Sequence, residues 1–344
     1  MKKIYHCDFL NHGLHFTPDC FRCCCAPQHG LTLYLKDVAR EDAFKVFQKE
    51  RQITIENTKN GSPHPDCLGC IYLKEYDLDD ETLSSEILEK IHKPPLIDYI
   101  IINHFKHCDC NCIYCSQGVY LKKVSEPQKS DYYDLLPIIK DFYAENLVDE
   151  KNLTVEFQGG SIAMLDEFEA LTDIFLEHNA HKIMFYTNGL KYMPSIVKAS
   201  HQTNCMVICS VDAGTPETFK KLKPAGDFDT VMENLAKYSK YCLKENPITT
   251  GYTDINAKYI LIQGINDSPD ELESFLTAAA KAGVNMVQLD MDFRKVMINK
   301  GVHYDIPKHY YELFDLFREK TAELGLYGFI WEYIEGILAK GYFE

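Results

Sequence analysis

The stretch Tyr99-Ile100-Ile101-Ile102-Asn103-His104-Phe105-Lys106-His107-Cys108-Asp109-Cys110-Asn111-Cys112-Ile113-Tyr114-Cys115 is where the chain is most readily read. An apolar run of strand length stops at Ile102, and a polar loop with four cysteines follows at once. Cys108, Cys112 and Cys115 are spaced C-x3-C-x2-C. Three thiolates on one short loop can hold three irons of a 4Fe-4S cubane and leave the fourth iron open. Cys110 has C-x-C spacing to both neighbours, which strains simultaneous ligation, so it reads as a bystander. Alternatively, four thiolates this close can enclose zinc tetrahedrally.

Five more apolar runs of strand length follow: Leu153 to Phe157, Lys182 to Thr187, Met206 to Val211, Tyr259 to Ile262, and Val284 to Leu289. Segments of helical period separate them, the pattern of consecutive βα units around a parallel sheet. The clearest helix runs from Ser268 to Ala282. Ser268 is its N-cap, Pro269 its first helical residue, Glu271 completes a Ser-x-x-Glu capping box and Gly283 stops it. Thr215-Pro216 starts another helix, Asp229 a third, and residues 307 to 324 suggest a fourth. Leu326 to Trp331 is an apolar strand or a hydrophobic seam. Six such units form either an open doubly wound sheet or an incomplete barrel, and in both cases ligands gather at the C-terminal ends of the strands.

Composition narrows the field further. The 344 residues are 46% hydrophobic and 25% charged, values of a folded globular chain and not of a disordered one. A net charge of -15 opposes attraction to nucleic acid or to an anionic membrane, so neither is an expected partner. Met1-Lys2-Lys3 leads into polar sequence with no apolar signal region, and a cytoplasmic location is the expectation. Fourteen cysteines in so large a chain read as metal ligands or catalysts, not as disulfides. Cys205, Cys209 and Cys242 sit among apolar neighbours and read as buried packing residues.

The cysteine loop, together with Gly159-Gly160 after the second strand, Thr187-Asn188-Gly189 closing the third and Ser210-Val211-Asp212-Ala213-Gly214-Thr215-Pro216-Glu217-Thr218-Phe219 at the fourth, resembles the radical S-adenosylmethionine (radical SAM) superfamily. The resemblance covers roughly residues 96 to 295. It implies an α/β chain: a partial (β/α)6 TIM-type barrel over 96–295, a small, Cys-rich and mostly irregular auxiliary-cluster domain over 1–95, and a helical extension over 296–344. It also implies an open-iron 4Fe-4S cluster on Cys108, Cys112 and Cys115 and SAM held by Tyr114, Gly159, Gly160, Thr187, Asn188, Ser210 and Asp212. Where family members continue the Gly-Gly motif with an acid and a proline, this chain has Ser161-Ile162. The implied chemistry is one-electron cleavage of SAM, giving a 5'-deoxyadenosyl radical that abstracts hydrogen from a C–H bond, with flavodoxin or ferredoxin as the reducing partner.

Strand alternation places Glu156 and Gln158 on one face of the second strand, and Gln288, Asp290 and Asp292 on one face of the sixth. Polarity like that of the sixth strand is costly against outer helices, so Gln288, Asp290 and Asp292 are expected in the lumen. Gln288, Asp290, Asp292 and Lys258, which opens the fifth strand, are the candidates for substrate binding or acid–base work. His104 and His107 flank the cluster loop.

The second concentration of cysteines comprises Cys7, then Cys20, Cys23, Cys24 and Cys25, then Cys67 and Cys70. Leu14 to Thr17 and Phe21 to Cys23 read as a hairpin that delivers Cys24 and Cys25. The group resembles the SPASM and twitch auxiliary modules of radical SAM enzymes, which usually follow the barrel. Cys7, Cys24, Cys67 and Cys70 are the expected ligands of a second 4Fe-4S cluster, with Cys25 as a substitute for Cys24 and zinc as the other occupant. The resulting expectation is an enzyme acting on a small polar, sugar-like or alcohol-like substrate. A maturase of ribosomally made peptides and a non-catalytic iron-sulfur scaffold or electron carrier are the alternatives.

Overall fold

A computed structural model describes residues 3–24, 31–70, 72–77, 84–115, 133–244, 251–292 and 307–330. The chain forms two compact units: residues 1–105, 128–157 and 173–182 make the first, and residues 106–127, 158–172 and 183–344 the second. Among the described residues no helix is long and apolar enough to cross a membrane.

In the first unit β1 (Lys3–His6) pairs antiparallel with β5 (Lys74–Asp77), and α1 (Asp8–His12) leads into β2 (Gly13–Phe16). β3 (Cys20–Arg22) and β4 (Thr32–Tyr34) continue antiparallel from β2, as the hairpin reading expects. The other edge of β2 pairs in parallel with β6 (Tyr99–Ile102), and β6 with β7 (Thr154–Phe157), so the strand order is β7-β6-β2-β3-β4. An N-terminal strand therefore shares a sheet with the first strand after Pro94-Pro95. All four residues of β2 are buried, which accounts for their continuous apolar character apart from His15.

The N-terminal region also holds α2 (Arg40–Lys59), 20 residues that the cysteine-centred reading does not place. Phe44, Phe47, Arg51, Ile55 and Thr58 are buried at helical spacing along it. α3 (Ser85–His92), capped by Ser84, and α4 (Leu136–Ala144) complete the helices lying wholly in this unit.

In the second unit β8 (Lys182–Thr187), β9 (Asn204–Ser210), β10 (Thr253–Leu261), β11 (Met286–Met291) and β12 (Tyr327–Ile330) lie side by side in chain order. The pairs β9–β10, β10–β11 and β11–β12 are parallel. α6 (Pro194–Ser200), α7 (Pro216–Leu222), α8 (Phe228–Tyr238) and α9 (Pro269–Ala282) fall between strands, and the residues of α5 (Phe168–Glu177) are divided between the two units. α10 (Lys308–Glu323) precedes β12, so of the two readings of Leu326 to Trp331 the strand is the one found, within a region named as a helical extension. β6 to β11 are thus the six strands of consecutive βα units, the complement of a partial (β/α)6 barrel.

Three local expectations change. β10 begins at Thr253, so Lys258 lies mid-strand and does not open it. Its first half alternates polar and apolar residues, a half-buried pattern that a search for apolar runs passes over. The cap of α8 is Asp227, whose carboxylate accepts from Thr230 N at 2.8 Å, because Asp229 already lies inside the first turn. Ser268 caps α9, but Glu271 does not close the capping box. Its carboxylate instead accepts from Gly214 N at 2.6 Å and Thr215 N at 3.2 Å, bracing the segment after β9. Cys205, Cys209 and Cys242 are buried, as expected of packing residues.

Candidate active site

The cysteine loop is held to the rest of the second unit at three places. Ser161 N donates to His107 O at 2.7 Å, and a Cβ on Gly160 would fall 2.0 Å from that same carbonyl oxygen. Only glycine permits this approach, so the second residue of the Gly-Gly pair docks the start of the loop. Asn188, from the turn after β8, donates to Asp109 Oδ1 at 2.6 Å and lies 4.0 Å from Cys108 Sγ. At the far end Ile113 N donates to Leu222 O at 3.0 Å, on the last turn of α7.

Between these anchors Cys108, Cys112 and Cys115 are partly exposed, whereas Cys110 is fully buried. A hydrogen bond from Cys110 is the chief reason that the Cys112 thiol is pulled down to about 7, against the opposing effect of burial. The same bond, with burial, drives Cys110 upward. Burial pushes Cys108 up to about 11, and Cys112 and Cys115 add to it. Among the described residues no three His, Cys, Asp or Glu side chains close on a single-ion site. Thiolates that each bind a different iron of a cubane stand farther apart than ligands of one ion, and the donor set here is the thiol trio that such a cluster uses.

Beneath the loop lies a network of buried charge. Tyr114 Oη donates to Asp212 Oδ2, and Lys223 Nζ sits 2.7 Å from the same oxygen while also donating to Ser210 O. Ile260 N donates to Asp212 Oδ1 at 2.8 Å, and Asn266 holds the Asp212 carbonyl at 2.8 Å. Asp212 has a left-handed φ of 61°. It is 0% exposed with both carboxylate oxygens engaged, so its side chain supports the loop. Burial raises the Tyr114 pKa, and Asp212 raises it further. Burial acts to lower the Lys223 pKa, but Asp212 and the nearby thiols outweigh it and hold that ammonium above the ordinary lysine value. Thr187, also expected at the cofactor, is buried and accepts from Gly189 N at 3.1 Å, which shapes the turn carrying Asn188.

A second polar group lies on β10 and β11. Tyr259 packs against Phe275 of α9 at 4.7 Å, so the alternate residues Asn256 and Lys258 take the opposite face of β10. Lys258 stands between Ser210 and Gln288 in register. Its Nζ is 3.0 Å from Asp290 Oδ2, Gln288 Nε2 donates to Asp290 Oδ2 at 3.3 Å, and Asn256 Nδ2 donates to Gln288 Oε1 at 3.2 Å. Burial raises the Asp290 pKa, with Lys258 opposing. Asp292 is buried just past the end of β11. The structure thus brings together Lys258, Gln288 and Asp290.

In the first unit Cys7 N-caps α1, Cys24 follows β3, and Cys67 ends a 3-10 turn whose carbonyl accepts from Cys70 N at 3.0 Å. These four thiols influence one another: burial pushes Cys67 up to about 11, with Cys7, Cys24 and Cys70 adding to it. Cys7 is raised in the same way, by burial and then by Cys24 and Cys70. Cys25, the alternative to Cys24, lies outside the described residues. Cys20 and Cys23 are buried. Beside them Arg51 of α2 is 4% exposed and donates to Leu10 O at 3.2 Å, to Asn11 O and to Pro95 O at 3.0 Å, with a further bond to Cys23. The two histidines fall in different units. His104 is buried with its ring 5.2 Å from that of Tyr133, and His107 is buried with its carbonyl on Ser161.

Three supporting residues escape sequence reasoning. Lys223 follows Lys220 and Lys221 and looks like another solvated lysine. The bracing role of Glu271 is hidden by a capping-box match. Arg51 does leave a trace, since it occupies a position where the apolar stripe of α2 should continue.

No curated protein matches the chain. Among solved structures, Streptococcus suis SuiB bound to S-adenosylmethionine is similar at 12% identity and a TM-score of 0.47, covering 86% of this chain and 62% of its own. SuiB bound to the precursor peptide SuiA gives 11%, 0.49, 96% and 71% for the same four measures. AnSMEcpe with bound AdoMet gives 19%, 0.48, 69% and 64%. The chain therefore spans about 62% of the length of the first SuiB chain. The sequence model of the Radical SAM superfamily matches residues 102–276, just over half of the chain. On that match the chain belongs to the radical SAM superfamily, whose cofactors are a 4Fe-4S cluster and S-adenosylmethionine.

Proposed function

We propose that this protein is a radical SAM enzyme that modifies a peptide, with a second cluster in its N-terminal region. The observation that carries the first part is the division within one loop: Cys108, Cys112 and Cys115 are presented while Cys110 is turned into the core. The presented trio would hold the cluster, with SAM bound near Gly159, Gly160, Asn188 and Ser210. When both are bound, they supply a 5'-deoxyadenosyl radical able to remove hydrogen from a C–H bond. Tyr114 and Asp212 fix the loop from below, and Asn188 fixes it from the side. Lys258 and Asp290, at 3.0 Å, hold a proton between Nζ and Oδ2 at the proposed substrate face, and Gln288 orients the carboxylate. Asp292 belongs to the same face. Cys7, Cys24, Cys67 and Cys70 would hold the auxiliary cluster, which can accept an electron from the substrate or ligate it.

A sugar-like or alcohol-like substrate was expected from the polarity of β11. That polarity is largely consumed internally, because Asn256, Gln288, Asp290 and Lys258 bind one another. A small polar molecule would have to displace those bonds, and each one displaced without replacement costs roughly 1–3 kcal/mol. The fourth-strand segment Ser210 to Phe219, which resembles that of members carrying auxiliary clusters, also allows a peptide. Streptococcus suis SuiB with its precursor peptide and anSMEcpe with Cp18Cys peptide make peptides the first substrates to try.

The test is formation of 5'-deoxyadenosine by the reconstituted, dithionite-reduced protein, with peptides encoded beside its gene and with sugars as rival substrates. A verified cluster that yields no 5'-deoxyadenosine would instead mark a scaffold or electron carrier. Peptide-dependent turnover supports the reading, and sugar-dependent turnover restores the other substrate class.

A further inference from the structure

Lys223 is the only lysine among the largest fully buried side chains of the described residues, and no role in cofactor or substrate binding accounts for it. It closes α7 at the point where Leu222 O accepts from Ile113 N of the cysteine loop. Its ammonium reaches back to Ser210 O, where β9 ends, and to Asp212 Oδ2 at 2.7 Å. That oxygen also receives the hydroxyl of Tyr114, the residue between Cys112 and Cys115. One side chain therefore joins the end of β9, the end of α7 and the cluster loop. An ammonium is an expensive choice for a wholly buried tie unless its charge is used, since a buried charge must be compensated. Asp212 is one compensating group. Cys110 and Cys112 also lie near enough to feel the charge of Lys223.

We propose that Lys223 is a positioning residue for the cluster loop, fixing Tyr114 through Asp212 and offsetting the negative charge that a thiolate-bound iron cluster places there. The proposal rests on the assignment of Cys108, Cys112 and Cys115 to that cluster. A positive charge close to a cluster favours its reduced, more negative state. Lys223 thus makes it easier for the cluster to accept an electron, and the effect is strengthened by the low dielectric of the interior.

The test uses the full chain with Lys223→Arg, Lys223→Met and the double variant Lys223→Met with Asp212→Asn, the last leaving no uncompensated buried charge. Reconstituted proteins are poised at the potential where the wild-type SAM cluster is half reduced, read by electron paramagnetic resonance. Lys223→Arg should stay near half, Lys223→Met should fall below about a tenth, and the double variant should lie between, as expected for charge acting at short range. Equal reduction in all four proteins overturns the charge role. In the metal-free proteins, amide exchange at Ile113 to Cys115 should quicken in both Met-bearing variants and stay unchanged in Lys223→Arg. Unchanged exchange throughout overturns the positioning role. Failure of the wild type to take up a cluster would sink the functional assignment instead, and the exchange measurement would still decide the positioning role.

Discussion

The two groups of cysteines are built in opposite ways. One set lies on a single loop of eight residues, Cys108 to Cys115, pinned at both ends by backbone hydrogen bonds. The other is gathered from three separate pieces: a helix cap at Cys7, a strand end at Cys24 and a turn at Cys67 to Cys70. Each has a deeply buried cation nearby, Lys223 in one case and Arg51, bonded to Cys23, in the other. The contrast shows that local spacing is enough to encode a site on one loop, whereas a site drawn from distant segments needs a hub. Arg51 serves two of the three pieces in this way, because its guanidinium holds the carbonyls of Leu10 and Asn11 in the helix that Cys7 caps and bonds to Cys23, next to Cys24.

The largest effects should fall on the single loop. Replacing Cys108, Cys112 or Cys115 with Ala should abolish 5'-deoxyadenosine formation, while Cys110→Ala should keep the charge-transfer absorbance of the cluster. Loss of that absorbance in Cys110→Ala would make the buried thiol a ligand. In the gathered site, Cys67→Ser should lower iron from about eight to about four per chain without removing SAM cleavage. A wild type that binds only about four irons would leave the N-terminal cysteines to zinc.

Arg51→Met should selectively empty the N-terminal site and lower stability by a few kcal/mol, because it leaves the carbonyls of Leu10, Asn11 and Pro95 without their donor at roughly 1–3 kcal/mol each, as read by denaturant unfolding. Equal iron loss from both sites would break the contrast between hub and loop. Lys258→Met should cost about the same, because it leaves Asp290 buried without its cation, whereas Lys258→Met with Asp290→Leu should be near neutral.

The smallest effect is a pH dependence. Burial raises the folded-state pKa of Asp290 above its unfolded value, so the stability linked to its protonation is present below the ordinary carboxylate pKa and is lost as pH rises through the folded one. The deficit in melting temperature of Asp290→Asn relative to wild type should therefore be largest at acid pH and shrink toward neutrality.

The sequence reveals what is local. Cysteine spacing, the Gly-Gly and Thr-Asn-Gly turns, the Ser268 and Thr215 caps and the six βα strands are short-range patterns, and they are legible for that reason. What escapes it is partner choice across space. Nothing in the order of residues says that Glu271 will reach Gly214 instead of its own helix start, or that Lys223 will point inward while Lys220 and Lys221 do not. β2 escapes for a related reason, since a four-residue strand read as half a hairpin gives no sign that its other edge pairs with β6. Asp212 lies just past the end of β9 with a left-handed backbone, a change of direction that no strand pattern announces.

The contact between Gly160 and His107, paired with the bond from Ile113 to Leu222, bears on how a cluster is acquired. A free loop must lose chain entropy when metal first closes it, and a longer span loses more. Here the backbone is already fastened at His107 and Ile113, so for a cluster held by Cys108, Cys112 and Cys115 much of that ordering would precede the metal. Assembly on Cys108, Cys112 and Cys115 would then be a local event.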